Sequence, residues 1–186
     1  MPEYLESERA DAPEFTEKEM KQIGTPIDLI GLNLYGGHFV KHSDDPRGCE
    51  FIPPPLSYPQ YAEWFPVNPQ ALYWRPRTVS ELWNVKDIYI TENGFPCADQ
   101  IDKQGNIMDT DRVMLMRNYL PALQRATAEG IPVRGYFAWS LLDNFEWLKG
   151  YTMRFGLYHT DFKTLKRTPK LSAHYYRETL SRNDVV

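Results

Sequence analysis

Glu92 is the residue whose setting could carry chemistry. It lies in DIYITENGFP (87–96), where Ile88, Tyr89 and Ile90 make an uncharged β-branched and aromatic run, the pattern of a buried strand. Asn93-Gly94 follows at once and turns the chain. A carboxylate at the last position of a buried strand is held by a rigid scaffold at the mouth of a cleft. The same residues also fit a hairpin closed by Asn-Gly, with Glu92 merely solvated. This stretch alone does not separate the two. A second stretch, WSLLDNFEW (139–147), bears on the choice once the elements around it are placed.

Those elements must come from one chain of 186 residues, 42% hydrophobic, with a formal net charge of −4. Such totals suit a single domain over 1–186 with a real core, and the mild acidity gives no electrostatic case for nucleic acid or an anionic membrane. No apolar run is long enough to span a bilayer, the charged first ten residues do not read as a signal peptide, and two cysteines make no disulfide framework. A cytoplasmic location is the expectation. The four histidines show no paired metal-ligand spacing, and Asp99 and Asp102 do not make a calcium loop, so neither metal nor cofactor is expected. The aromatic share of 14% is core by default, although flat rings also suit the faces of sugars.

Along the chain, Thr16 and Glu19 form a capping box that predicts a short helix to Ile23, ended at Gly24. IDLIGLNLY (27–35) has the length of a buried strand. A proline-rich stretch, about 38–75, reads as a long loop, with Tyr58, Tyr61, Trp64 and Phe65 favouring a packed lid over a flexible linker. Pro76 suits the first turn of a helix whose apolar face is Val79, Leu82 and Trp83. After the Glu92 strand, a long helix is expected with Val113, Met116, Leu120, Leu123 and Ala126 inward, kinked or broken at Pro121. VRGYFAW (133–139) is the third strand, 155–162 a short extended excursion, and Thr168-Pro169 the opening of a last helix to about Leu180. Strands alternating with helices predict βαβ units and a parallel sheet. Asn33, Tyr35, Glu92 and Trp139 then all fall at carboxyl ends of strands, the end that carries chemistry in a (β/α)8 barrel.

ITENG (90–94), WSLLDNFEW with its approach GYFA (135–147), IGLNLY (30–35) and RFGLYHTDF (154–162) together resemble glycoside hydrolase family 1, the retaining β-glucosidases and β-galactosidases built on a TIM barrel. The resemblance implies an α/β fold that is the C-terminal part of a (β/α)8 barrel, about its last three βα units. It implies Glu92 as nucleophile, Tyr35 as the hydroxyl bonded to it, and Asn33 as a supporting polar residue. It further implies that Glu146 and Trp147 read the sugar's hydroxyls, that Trp139 is a flat floor, and that Phe155 closes the pocket near the exocyclic carbon. Trp64 falls where the family places an aromatic at the aglycone entrance; packing within its own loop fits it as well. Asp143-Asn144 reads as a holder of the loop. The family needs no metal, and Glu146 would repel a phosphate dianion, which favours unphosphorylated glycosides.

Retaining glycosidases use two carboxyl groups about 5–5.5 Å apart. No T-x-N-E-P run, which carries the family's acid/base glutamate, occurs in this sequence. The expectation is therefore part of a retaining β-glycosidase that hydrolyses β-linked glucosides or galactosides, inactive as a chain alone, with a β-glycoside as substrate and the missing N-terminal part of the barrel, or copies of itself, as partner. A non-catalytic sugar-binding module and a self-assembling partial-barrel structural protein are the alternatives.

Overall fold

A computed structural model describes residues 14–55, 60–62, 65–97 and 99–186. Trp64 lies outside them, as do the side chains on which a lid of Tyr58, Tyr61, Trp64 and Phe65 would rest. The chain divides into two units, Met1–Asp28 with His38–Ser57, and Leu29–Gly37 with Tyr58–Val186.

In the first unit, helix α1 (Glu17–Ile23) starts and stops where its caps dictate. Thr16 Oγ1 accepts from the Glu19 backbone N–H (3.3 Å), and the Glu19 carboxylate accepts from the Thr16 N–H (2.8 Å). The stretch expected as loop holds an antiparallel hairpin: Phe39–His42 pairs with Cys49–Ile52. Its turn is set by Asp45, whose carboxylate accepts from the Arg47 N–H (2.9 Å) while its carbonyl accepts from the Gly48 N–H (2.7 Å).

In the second unit the sheet is parallel, as the alternation of elements predicts. With strands numbered in chain order, β1 (Ile30–Asn33) pairs with β6 (Ile88–Asn93), and β6 with β7 (Val133–Ala138). Here β2 and β3 are the hairpin strands just described, and β4 (Gln60–Ala62) and β5 (Phe65–Pro66) are a short antiparallel pair. The first strand is shorter than the apolar run 27–35, and its exposure alternates. One face of the sheet packs on helices: Ile88 and Ile90 have no exposure, and Ile90 clusters with Leu34, Phe95, Leu72 of α2 (Ala71–Trp83) and Leu115, Tyr119 and Leu123 of α3 (Thr110–Ala128). The opposite face carries exposed Gly31, Asn33, Thr91 and Phe137. These are strands buried on one side, not two.

Three helical expectations are corrected. α2 begins at Ala71, so Pro76 sits inside it; the buried face is Leu72, Tyr73, Pro76 and Val79, while Leu82 and Trp83 are exposed. The face is set by packing, Leu72 entering the core cluster with Ile90 and Tyr119. Of the kink or break expected at Pro121 the break does not occur: α3 runs through the proline, which is exposed together with Arg117, whose carbonyl it leaves without its helical N–H. Thr168-Pro169 belongs to β9 (Arg167–Pro169), antiparallel to β8 (Tyr158–Thr160), and the last helix, α4, is Leu171–Arg182. Among the described residues no helix is long and apolar enough to cross a membrane.

Asn93-Gly94 closes no hairpin. Asn93 is fully buried, donating Nδ2 to the Leu34 carbonyl (2.8 Å) and accepting from the Tyr136 hydroxyl at Oδ1 (2.8 Å). Gly94 is demanded by space: a Cβ there would stand 1.7 Å from the Trp139 carbonyl oxygen. Gly94→Ala is therefore expected to cost at least about 4 kcal/mol in urea unfolding. Gly105→Ala, with φ +87° but open space around it, should cost only about 1–2 kcal/mol. Equal losses at the two positions would show that the contact with Trp139 is not what requires Gly94.

Candidate active site

The carboxyl ends of β1, β6 and β7 are irregular. Register shifts fall between Leu32 and Asn33 and between Ile90 and Asn93, and such shifts re-aim side chains at strand ends. Just past the end of β1, the Tyr35 hydroxyl donates to Glu92 Oε2 on the neighbouring strand at 2.8 Å. Both residues are half-buried. Burial, then the bond to Glu92 and the charges of Glu92 and Glu146, push the Tyr35 phenol well above its ordinary range, so it remains a donor at neutral pH. Its ring meets that of buried Phe155 edge-on, with centroids 6.5 Å apart at 82°.

Glu146 enters from the loop after β7. Its backbone N–H donates to the Gly150 carbonyl (2.7 Å), folding a short 3-10 turn, Trp147–Lys149, across the loop's tip. Burial, and next the nearby charge of Glu92, raise the Glu146 pKa. Glu146 therefore lies within reach of the Glu92 charge. Trp139, half-buried, donates its backbone N–H to the Asn93 carbonyl (2.8 Å), which fixes it beside the end of β6.

Two further expected members have other surroundings, although Asn33 is the register partner of Glu92 on the adjacent strand. Asn33 Oδ1 accepts from the Thr91 hydroxyl (2.7 Å) on the open face of the sheet, and no bond links it to Glu92. Trp147 is 82% exposed at the loop tip. Among the described residues no group of three or more His, Cys, Asp or Glu side chains could hold a metal ion.

A buried ionic cluster beneath these loops was not foreseen beyond the reading of Asp143 as a loop holder. Asp143 Oδ1 accepts from Lys170 Nζ (2.8 Å) and the Gly156 N–H (2.9 Å), and Oδ2 accepts from Arg154 (2.6 Å). Although burial acts to raise it, Lys170 and Arg154 hold this carboxyl below the ordinary range. Asp99 bonds Lys170 and Arg112, and Asp109 bonds Arg112 and Ser172. Nothing in the sequence marks these charges as buried; the one signal is that Lys170 directly precedes the last helix.

The family model for glycosyl hydrolase family 1 matches residues 1–185. A 1,4-β-D-glucan glucohydrolase of Thermotoga neapolitana is 38% identical over 183 residues, 98% of this chain and 41% of that protein. β-Glucosidase A of Thermotoga maritima is 38% identical over 180 residues, 96% of this chain and 40% of that protein. A solved structure of the Thermotoga maritima β-glucosidase in complex with noeuromycin superposes with a TM-score of 0.88 at 36% identity, covering all of this chain and 42% of the other. The chain thus spans about two fifths of the length of the relatives it matches.

The coupling between the carboxylates can be measured directly. Glu92→Gln removes the charge that helps raise Glu146, so the Glu146 titration, followed by side-chain carbon NMR, should move to lower pH. It should stay above the ordinary glutamate value, because burial is the larger cause. An unmoved titration would place the two groups too far apart to share a site.

Proposed function

The chain belongs to glycosyl hydrolase family 1, as a C-terminal portion of its TIM barrel, and from that premise we propose that it supplies the nucleophile and the sugar-reading groups of a retaining β-glycosidase. The observation that carries this reading is the 2.8 Å bond from Tyr35 to Glu92 across the ends of adjacent parallel strands. That bond orients Glu92 and leaves Oε1 to attack the anomeric carbon. The bond to the aglycone oxygen breaks as a second carboxylic acid protonates it, and the resulting glycosyl ester is hydrolysed by water. We assign the second carboxyl group to barrel strands outside this sequence, because no T-x-N-E-P segment is present in it.

In this reading Glu146 accepts hydrogen bonds from two adjacent sugar hydroxyls, each charged bond worth about 1.5–3 kcal/mol. Trp147 adds an indole donor, Trp139 a flat floor, and Phe155 the wall behind Tyr35. Asn33 acts through its amide nitrogen, its oxygen being taken by Thr91. Trp64 is assigned to the aglycone entrance on its sequence position. The substrates are unphosphorylated β-glucosides or β-galactosides. The edges left on β1 and β7 are where the completing strands pair, or where copies of the chain associate in their absence.

In a barrel completed with the earlier strands, Glu92→Gln should abolish hydrolysis of an aryl β-glucoside while the fold persists, since an amide cannot form the ester. The chain without those strands serves as the control, and no turnover is expected from it. A loss smaller than about tenfold, 1.4 kcal/mol in the barrier, is incompatible with Glu92 as nucleophile.

Glu146→Ala should lower kcat/KM by a similar factor for every aglycone on one sugar, because the carboxylate faces only the glycone. Steady-state rates for a series of aryl glucosides check this. Strong dependence on the aglycone would move Glu146 to the other subsite.

A further inference from the structure

The glycosidase chemistry makes no use of Lys170, yet this ammonium is wholly buried where α4 begins. It donates to Asp143 Oδ1 (2.8 Å) and to Asp99. Asp99 follows β6, the strand of Glu92; Asp143 follows β7, on the loop of Glu146. Among the described residues Lys170 alone donates to both carboxylates, so one cation ties together the two segments that present the reacting groups.

From Asp143 the contacts run on to the site without slack. Its carboxylate accepts from Arg154 and from the Gly156 N–H, the residues on either side of Phe155. A Cβ on Gly156 would lie 2.2 Å from the Asp143 nitrogen, so the two backbones are in direct contact. The Phe155 carbonyl accepts from the Ser140 N–H (3.2 Å), and its ring edge abuts Tyr35, which bonds Glu92. The far side of the loop is fastened as well: Phe145 packs on Tyr151, Tyr151 on Phe162, and the Arg154 guanidinium lies 4.8 Å from the Phe162 ring centre.

We propose that Lys170 is a positioning residue of the active site: by clamping Asp143 against Asp99 it sets where Phe155 and Glu146 stand relative to the Tyr35–Glu92 pair. The proposal rests on the roles assigned above to Glu92 and Glu146. It differs from a purely structural role in one consequence. A merely structural lysine changes how much of the chain is folded, whereas a positioning lysine changes the distance between two carboxylates within the folded chain.

That distance has a readout. In the full chain, the fall in Glu146 titration produced by Glu92→Gln reports how closely the two groups approach, because charge–charge energy decreases with separation. With Lys170→Met in the background, the fall should shrink to less than half its size in the unaltered chain. With Lys170→Arg, which keeps the charge, most of it should return. Where the Met variant is too unstable to titrate, Lys170→Met combined with Asp99→Asn carries the same measurement. It leaves Arg112 and Arg154 opposite Asp109 and Asp143, two cations and two carboxylates. A lowered Tm with an undiminished fall in the folded variants would overturn the proposal. Because no turnover is needed, a failure here is separate from a failure of Glu92→Gln to abolish hydrolysis, which bears on the glycosidase reading instead.

Discussion

Three cations, Arg112, Arg154 and Lys170, meet three carboxylates, Asp99, Asp109 and Asp143, beneath the carboxyl ends of β6 and β7. Placing charge there is costly, several kcal/mol per ion, and is tolerated only when each charge is paired and its remaining hydrogen-bonding capacity filled. The arrangement meets that demand. Arg112 also donates to the carbonyls of Phe95 and Arg154, Asp109 also accepts from the Ser172 backbone, and Asp143 from the backbone of Gly156 and Thr160. The segments that follow β6 and β7 thus each have charged residues anchored in one cluster. The depressed pKa of Asp143 has a definite sign: its stabilisation is complete above the carboxyl's unfolded value and disappears as pH falls through the lower, folded one.

The course of the backbone was legible where local signals are strong. The Thr16–Glu19 capping box, the apolar period of α3 and the β-branched run before Glu92 each produce the element they predict. The failures have physical causes. Seven prolines across 38–74 hide a hairpin because its turn is made by one aspartate rather than by a glycine-asparagine pair. Pro76 misplaces α2 because a proline inside a helix is discounted, although here it is buried together with Leu72, Tyr73 and Val79. The Tyr35–Glu92 pair joins residues 57 positions apart and could be read only through the motif. Of the ionic cluster only Asp143 was legible, as a loop holder, since a sequence presents a buried Asp or Lys in the same way as a solvated one, and most are solvated.

Gly94 joins these two levels. Sequence reasoning takes it as a turn-former, and its actual constraint is the carbonyl of Trp139 on the next strand. The same close approach lets Asn93 turn inward to hold Leu34 and Tyr136 while Glu92, one residue earlier, stays half-buried beside Tyr35. Alternation along β6 is broken at its carboxyl end: a buried amide, Asn93, and a half-buried carboxylate, Glu92, occupy consecutive positions across a register shift.

The open face of the sheet follows a complementary rule. A Cβ on Gly31 would meet Thr91 at 2.9 Å, and one on Gly135 would meet the Tyr89 ring at 2.7 Å. The central strand therefore carries the bulk and its two neighbours make room for it. That alternation of large and small side chains across adjacent strands is what a layered barrel interior requires. Phe137, 57% exposed on the same face, has no such neighbour filling the space above it among the described residues. A sheet meant to face water would gain nothing from glycines spaced to admit Tyr89 and Thr91, since solvent imposes no shape on a side chain. The inner face is thus patterned for packing while the helix face already has its core. At its carboxyl end that pattern gives way to polar residues, Asn33, Thr91 and Glu92.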